Sequence, residues 1–201
     1  FLQLAFQHEM LDGSTALVCL VWHDDQAQKL MVNYAHVGDT RGLLCRRGSV
    51  VRLTEDHKPE REDEKLRVEK AGGRVADFGG VWRVCTPQPV QFAGQTVSWA
   101  LAVSRSFGDV PLKSPLQLMT AEPEVAHREL QPGDTLILAC DGIFDVLTDQ
   151  QTAQVALASA KRGGRAVVRK SYEQLSSDNL TVLCVQVMHP DSKPSKRQRT
   201  V

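Results

Sequence analysis

Four aspartates, each beside an apolar run or in a tight turn, are the side chains best placed to do chemistry. They lie in Val37-Gly38-Asp39-Thr40-Arg41, Cys140-Asp141-Gly142-Ile143-Phe144-Asp145 and Ser177-Asp178-Asn179. Asp141 follows the β-like run Leu136-Ile137-Leu138-Ala139-Cys140, and Asp178 stands just before Leu180-Thr181-Val182-Leu183-Cys184-Val185. A carboxylate at the end of a buried strand is expensive to desolvate unless a positive charge shares its site. A hard divalent cation with oxygen ligands meets that need, so a metal site is the chemistry these positions predict. Asp145 lies four residues after Asp141, and one helical turn would put both on the same side. Each aspartate also has a plainer reading taken alone: a turn residue at Asp141 or Asp39, an Asx turn at Asp178, a helix-start carboxylate at Asp145.

The elements that must position these residues follow from pattern. Thr15 to Trp22 and Lys29 to Val37 are β-rich runs joined by His23-Asp24-Asp25-Gln26, which predicts a hairpin. Gly42 to Cys45 and Val50 to Leu53 flank Arg46-Arg47-Gly48-Ser49, a second hairpin. A helix is expected from Pro59 to Gly72-Gly73, with Asp63–Arg67 and Lys65–Glu69 spaced to pair and a thin apolar stripe of Leu66 and Ala71. Arg74 to Trp99 is rich in Gly, Pro and Gln; short strands with an inserted loop around Pro87 to Gly94 are expected there. Thr135 to Cys140 predicts a buried strand. Thr148 with Gln151 has the form of a capping box. Arg162-Gly163-Gly164 should break that helix, with another from about Arg165 to Leu175 and a last strand from Leu180 to Val187. Hairpins followed by adjacent helices give an α+β layered domain of mainly antiparallel sheet with helices outside it.

At 201 residues the chain suits one domain with a sizeable core. Lys plus Arg equals Asp plus Glu at 24 each, so no global field draws it to nucleic acid or an anionic membrane. No apolar run reaches membrane-spanning length. Cys19, Cys45, Cys85, Cys140 and Cys184 form no CxxC pair and mostly sit in apolar runs; they suit buried small side chains in a reducing compartment. The chain opens at Phe1 within what looks like structure, so more sequence is expected upstream. Lys193-Pro194-Ser195-Lys196-Arg197-Gln198-Arg199 suits a short basic solubilising tail, with a nuclear-import signal as the alternative.

The chain resembles the metal-dependent Ser/Thr protein phosphatases, the PPM family also called protein phosphatase 2C. The segments that carry the resemblance keep the family's order. They are Gly13-Ser14-Thr15-Ala16, His36-Val37-Gly38-Asp39-Thr40-Arg41-Gly42, Leu53-Thr54-Glu55-Asp56-His57-Lys58-Pro59 and Ala71-Gly72-Gly73-Arg74-Val75. Further on come Leu101-Ala102-Val103-Ser104-Arg105-Ser106-Phe107-Gly108-Asp109, Glu122-Pro123-Glu124-Val125, Cys140 to Asp145 and Ser177 to Val182. Any one is a weak signal; together, in order, they are strong.

The resemblance implies an α-β-β-α sandwich of two mainly antiparallel sheets, lacking its N-terminal strands, over 1–189, with a basic tail over 190–201 that is expected to be disordered. It implies two catalytic Mg²⁺ or Mn²⁺ ions, one of them held by Asp141 and Asp178. Asp39, with Asp141 and Asp145, would hold a third, weaker ion. The reaction implied is hydrolysis of phosphoserine or phosphothreonine in protein substrates by metal-activated water. The family's Asp-Gly-His-Gly-Gly motif, which supplies a bridging ligand and the proposed proton donor, is not among these residues, nor is its phosphate-binding arginine; both are expected upstream. No catalytic residue other than metal ligands is therefore assigned on this chain. His57 is read as structural at the helix entry, Arg105 and Asp109 as an ion pair or loop brace, and Asp12 as no ligand. The stretch 76–98 exceeds the family's usual link. A monomer is expected, in the cytoplasm and/or nucleus, with no nucleic-acid or membrane partner. The alternative is a non-catalytic phosphatase-like module that binds or regulates other proteins.

Overall fold

The computed structural model describes residues 11–92, 94–159 and 162–188. The start at Phe1 to Phe6 and the basic tail beyond Pro190 lie outside the described residues. The two-residue strand β1 (Gly13–Ser14) leads into the hairpin of β2 (Ala16–Asp24) and β3 (Lys29–Val37). A second hairpin joins β4 (Arg41–Arg46) to β5 (Ser49–Arg52), and helix α1 (Glu62–Lys70) follows. β6 (Arg74–Asp77), β7 (Trp82–Cys85), β8 (Val90–Phe92), β9 (Gln95–Val97) and β10 (Ala100–Leu101) come next. β11 (Phe107–Gly108) pairs back onto β1. After β12 (Glu124–Leu130) and β13 (Thr135–Ala139), helices α2 (Asp141–Phe144), α3 (Asp149–Ala158) and α4 (Gly163–Glu173) precede β14 (Val182–Gln186).

Two antiparallel sheets, ordered β12-β3-β2 and β14-β13-β4-β5, form the frame. Alternation along each strand sends one set of side chains to each face. Val32, Tyr34 and Leu130 of the first sheet bury against Leu44 and Leu136 of the second. On the second sheet's other face, Leu43, Ile137 and Ala139 pack against Ile143, Leu147, Ala153, Ala156 and Val167 from the helical segment. The antiparallel α+β layering expected from the sequence is therefore present. Among the described residues the outer face of the first sheet carries exposed Val18, Leu20, Trp22 and Val125. A separate core of Val68, Val75, Val84, Leu112, Leu118 and Met119 joins α1 to the small sheet β10-β7-β6.

The capping box at Thr148 forms as expected, with Gln151 N–H donating to Thr148 Oγ1 at 3.2 Å and Thr148 N–H to Gln151 Oε1 at 2.9 Å. Four local expectations are corrected. Helix α1 begins at Glu62, because Pro59 lies in a turn that precedes it. Leu66 is exposed and the buried face is Glu64 and Val68. Asp63 pairs with Arg61 at 2.7 Å while Arg67 turns to Glu64 at 2.9 Å; only Lys65–Glu69 pairs as expected. The inserted loop contains a hairpin, β8 with β9. Strand β12 has no apolar alternation, and it is fixed instead by full pairing with β3 from Glu124↔His36 to Leu130↔Leu30.

Candidate metal centre

Sheet register brings three separate segments to one end of the second sheet. Ala139 of β13 lies between Arg41 of β4 and Val182 of β14. Asp39 is two residues before Arg41, Asp141 two after Ala139, and Asp178 four before Val182. The turns therefore deliver their carboxylates to a common site. Asp141 opens α2, and Asp145 N–H bonds to Asp141 O at 2.8 Å, so one helical turn places both on one side. Oxygens of Asp141, Asp145 and Asp178 lie within 4.8 Å of one another.

Local hydrogen bonds set each of these turns. Gly142 N–H donates to Asp141 Oδ1 at 2.9 Å, and Asn179 N–H to Asp178 Oδ1 at 2.6 Å. Ser176 Oγ donates to Gly142 O at 2.7 Å and ties the two loops together. A side chain at Gly142 would sit 2.5 Å from Asn179 O, so close approach of the loops requires glycine there.

The carboxylates repel one another. Burial, then the charges of Asp39, Asp178 and Asp145, push the Asp141 carboxyl above its ordinary range. Burial likewise raises Asp145, against the relief that Lys58 gives it. Oxygen-only donors that disfavour each other's charge suit a hard divalent cation such as Mg²⁺ or Mn²⁺. Asp141 is half-buried and Asp39 is buried, but Asp178 and Asp145 are exposed. Desolvation thus argues for a cation at Asp39 and Asp141, and mutual repulsion argues for it across the set.

Asp39 stands apart from the three. Its carboxylate Oδ2 accepts a hydrogen bond from Lys58 Nζ. Its backbone is held by His57, whose N–H donates to Gly38 O at 3.0 Å and whose Nδ1 accepts from Gly38 N–H at 2.9 Å. Gly38 itself has a φ of 94°, open chiefly to glycine. Arg41 locks the next residues: it forks onto Asp56 at 2.6 and 3.1 Å, reaches Asp149 at 2.7 Å and lies 4.3 Å over the Phe144 ring.

His57 is fully buried, stacked on His36 at 4.4 Å. Burial, then the Arg105 and His36 charges, lower it to about 4, so it is neutral at pH 7. A second cluster, His36, His57 and Glu124, also has ligand atoms within 4.8 Å. There, however, Arg61 already bonds Glu124 and Arg105 approaches it at 3.5 Å, so the carboxylate is neutralised. Arg105 is a brace as expected, forked onto Glu64 at 2.6 and 3.0 Å and bonded to Glu122 O at 3.0 Å. Asp109 does not pair with it; it accepts from Ser106 Oγ at 2.5 Å. Sequence reading missed Lys58 and Arg41. The signal available was their adjacency to His57 and to the Asp39 turn, on segments whose pairing only the sheet reveals.

The family profile described as protein phosphatase 2C matches residues 3–185. "Probable protein phosphatase 2C 45" of Oryza sativa subsp. japonica is 34% identical over 180 residues, covering 88% of this chain and 56% of that protein. "Probable protein phosphatase 2C 11" of Arabidopsis thaliana is 35% identical over 176 residues, 87% of this chain and 41% of its own length. Among solved structures, a C. elegans sex-determining protein superposes with a TM-score of 0.73 at 30% identity, covering 90% of this chain and 42% of that one. The serine-threonine phosphatase 2C of Toxoplasma gondii gives 0.74 at 24% identity, covering 91% and 61%. The chain spans about half the length of the curated relatives it matches.

Proposed function

This chain belongs to the protein phosphatase 2C family, and on that premise we propose that it carries half of a divalent-metal centre for hydrolysing phosphoserine and phosphothreonine in proteins. The observation that carries the reading is the convergence of Asp141, Asp145 and Asp178, with oxygens within 4.8 Å, at the end of one sheet. Asp141 and Asp178 would hold one Mg²⁺ or Mn²⁺ ion; Asp39, with Asp141 and Asp145, would serve an outer one. A bound divalent ion supplies acidified water and neutralises charge on phosphoryl oxygens.

The chain's own residues prepare that position. Strand β13 fixes Asp141, and Asn179 and Gly142 amides turn the carboxylates by hydrogen bonding one oxygen of each. Neither the proton donor to the leaving alcohol nor the grip on the substrate phosphate is assigned to a residue of this chain. Phosphoproteins are the substrates on this reading. A reducing setting, cytoplasm and/or nucleus, suits the five unpaired cysteines.

The test is calorimetric titration of the chain with Mn²⁺, paired with phosphate release from a phosphothreonine peptide. Binding should be lost in Asp141→Asn. Release by these residues alone should stay at background. Mn²⁺ binding unchanged in Asp141→Asn would overturn the metal centre, and release sensitive to that substitution would overturn the division of labour.

A further inference from the structure

Lys58 occupies an unusual place for a cation in a site built from acids. Its Nζ donates to Asp39 Oδ2, and Asp39 is buried while Lys58 keeps a third of its side chain in solvent. The ammonium also faces Asp56 and Asp141, whose charges with that of Asp39 hold its pKa up against burial. It relieves Asp145 in turn. Asp39 is absent from the set of carboxylates whose oxygens converge, and its partner is this lysine instead.

An ammonium and a divalent ion cannot both take the same carboxylate closely without strong repulsion. One of the two partners must therefore yield. Asp39 has a short side chain on a turn that His57 holds at the preceding Gly38, by its N–H at 3.0 Å and its Nδ1 at 2.9 Å, so it has little room to retreat. Lys58, on a flexible four-carbon stem that opens to solvent, can.

We propose that Lys58 is a tethered competitor for the outer cation at Asp39, setting how much divalent metal that position needs before it fills. The inference rests on the reading of the aspartates as a metal centre. It makes Lys58 a regulator of metal occupancy, acting through Asp39, rather than a group that touches substrate. At low metal the ammonium neutralises Asp39 and keeps the turn ordered; at high metal it swings out.

The test is a Mn²⁺ isotherm by calorimetry on the full 201-residue chain and its variants. Lys58→Met should bind the outer ion at least about tenfold more tightly, as expected when a neighbouring unit charge is removed. Lys58→Gln repeats the comparison with a polar side chain, and Lys58→Arg, which keeps the cation, should show no gain. The gain should vanish in the double variant Lys58→Met with Asp39→Asn. An isotherm that Asp141→Asn abolishes but Lys58→Met and Lys58→Gln leave unaltered would sink the role of Lys58 alone. A gain that survives Asp39→Asn would do the same. An isotherm that Asp141→Asn leaves unaltered would remove the metal centre and this inference together.

Discussion

Glu64 is the residue whose replacement tests the packing argument most sharply. Its carboxylate is 1% exposed and fully engaged. Oε1 accepts from Arg105 Nη2 at 2.6 Å and Nε at 3.0 Å; Oε2 accepts from Ser104 Oγ at 2.5 Å and Arg67 Nη2 at 2.9 Å. Burial alone would raise its pKa, but the bonds from Arg105, Ser104 and Arg67 outweigh it and lower the carboxyl from 4.5 to about 2. At about 1.4 kcal/mol per unit, that shift corresponds to about 3 kcal/mol of stability at pH 7. The sign follows from the depressed value: the contribution is whole above pH 4.5 and is lost as pH falls through about 2. Only about 1.4 kcal/mol of it remains at pH 3. Glu64→Gln removes the charge but keeps the shape. It should melt roughly 6–12 °C below the parent at pH 7, given about 2–4 °C per kcal/mol at this size. Its deficit should then shrink by about 2 kcal/mol at pH 3. Urea and thermal unfolding followed by far-UV circular dichroism at both pH values measure this. A gap under about 0.5 kcal/mol at pH 7, or one that is the same at pH 3, would refute the reasoning.

Two further substitutions separate site geometry from stability. Gly142→Ala places a methyl 2.5 Å from Asn179 O and 3.0 Å from the Asp178 Cβ, so the loops must part. It should weaken Mn²⁺ binding at least about tenfold and destabilise by about 1–3 kcal/mol; unchanged affinity would show that the loops do not set the carboxylate spacing. Thr148→Ala breaks the capping box of α3 and should lower the melting point by roughly 2–4 °C, for about 1 kcal/mol, with Mn²⁺ stoichiometry intact. A loss of Mn²⁺ binding in that variant would tie the centre to the helix in a way the contacts do not.

The parts of the fold written in local sequence were legible. The β2–β3 and β4–β5 hairpins, strand β13 and the Thr148 cap each follow from alternation or from a side chain that satisfies its own neighbourhood. What failed was set at long range. Glu64 is charged, so the pattern assigns it to solvent; it is buried because Ser104 and Arg105, about forty residues on, complete its hydrogen bonds. Strand β12 carries no apolar alternation because it is an edge strand, paired along its length with β3 alone and exposed over most of its residues. The same limit applies at the centre. Asp141 and Asp145 announce themselves four residues apart, yet the nearness of Asp178 depends on β13 pairing with β14, and the capture of Asp39 depends on Lys58.

That dependence explains why the carboxylates sit where they do. A sheet end is rigid, since β13 is bonded on both sides over all five of its residues, Thr135 to Ala139. Rigidity keeps the aspartates from relaxing apart, so burial first, and the charges of their neighbours after it, hold the Asp141 and Asp145 carboxyls above the ordinary range. Nearby arginines relieve it little: the Arg41 charge acts on Asp145, but its guanidinium bonds Asp56 and Asp149, and Arg105 is engaged by Glu64. Among the described residues Lys58 is the one cationic side chain that bonds any of the four aspartates, and its bond goes to Asp39. The fold thus assigns its arginines to bracing the surrounding turns and leaves Asp141, Asp145 and Asp178 without a side-chain ion pair among the described residues. A cluster held rigid and compensated only in part, by the Lys58 and Arg41 charges near Asp145, favours a bound cation, and that is the physical ground for the metal centre proposed at this end of the sheet.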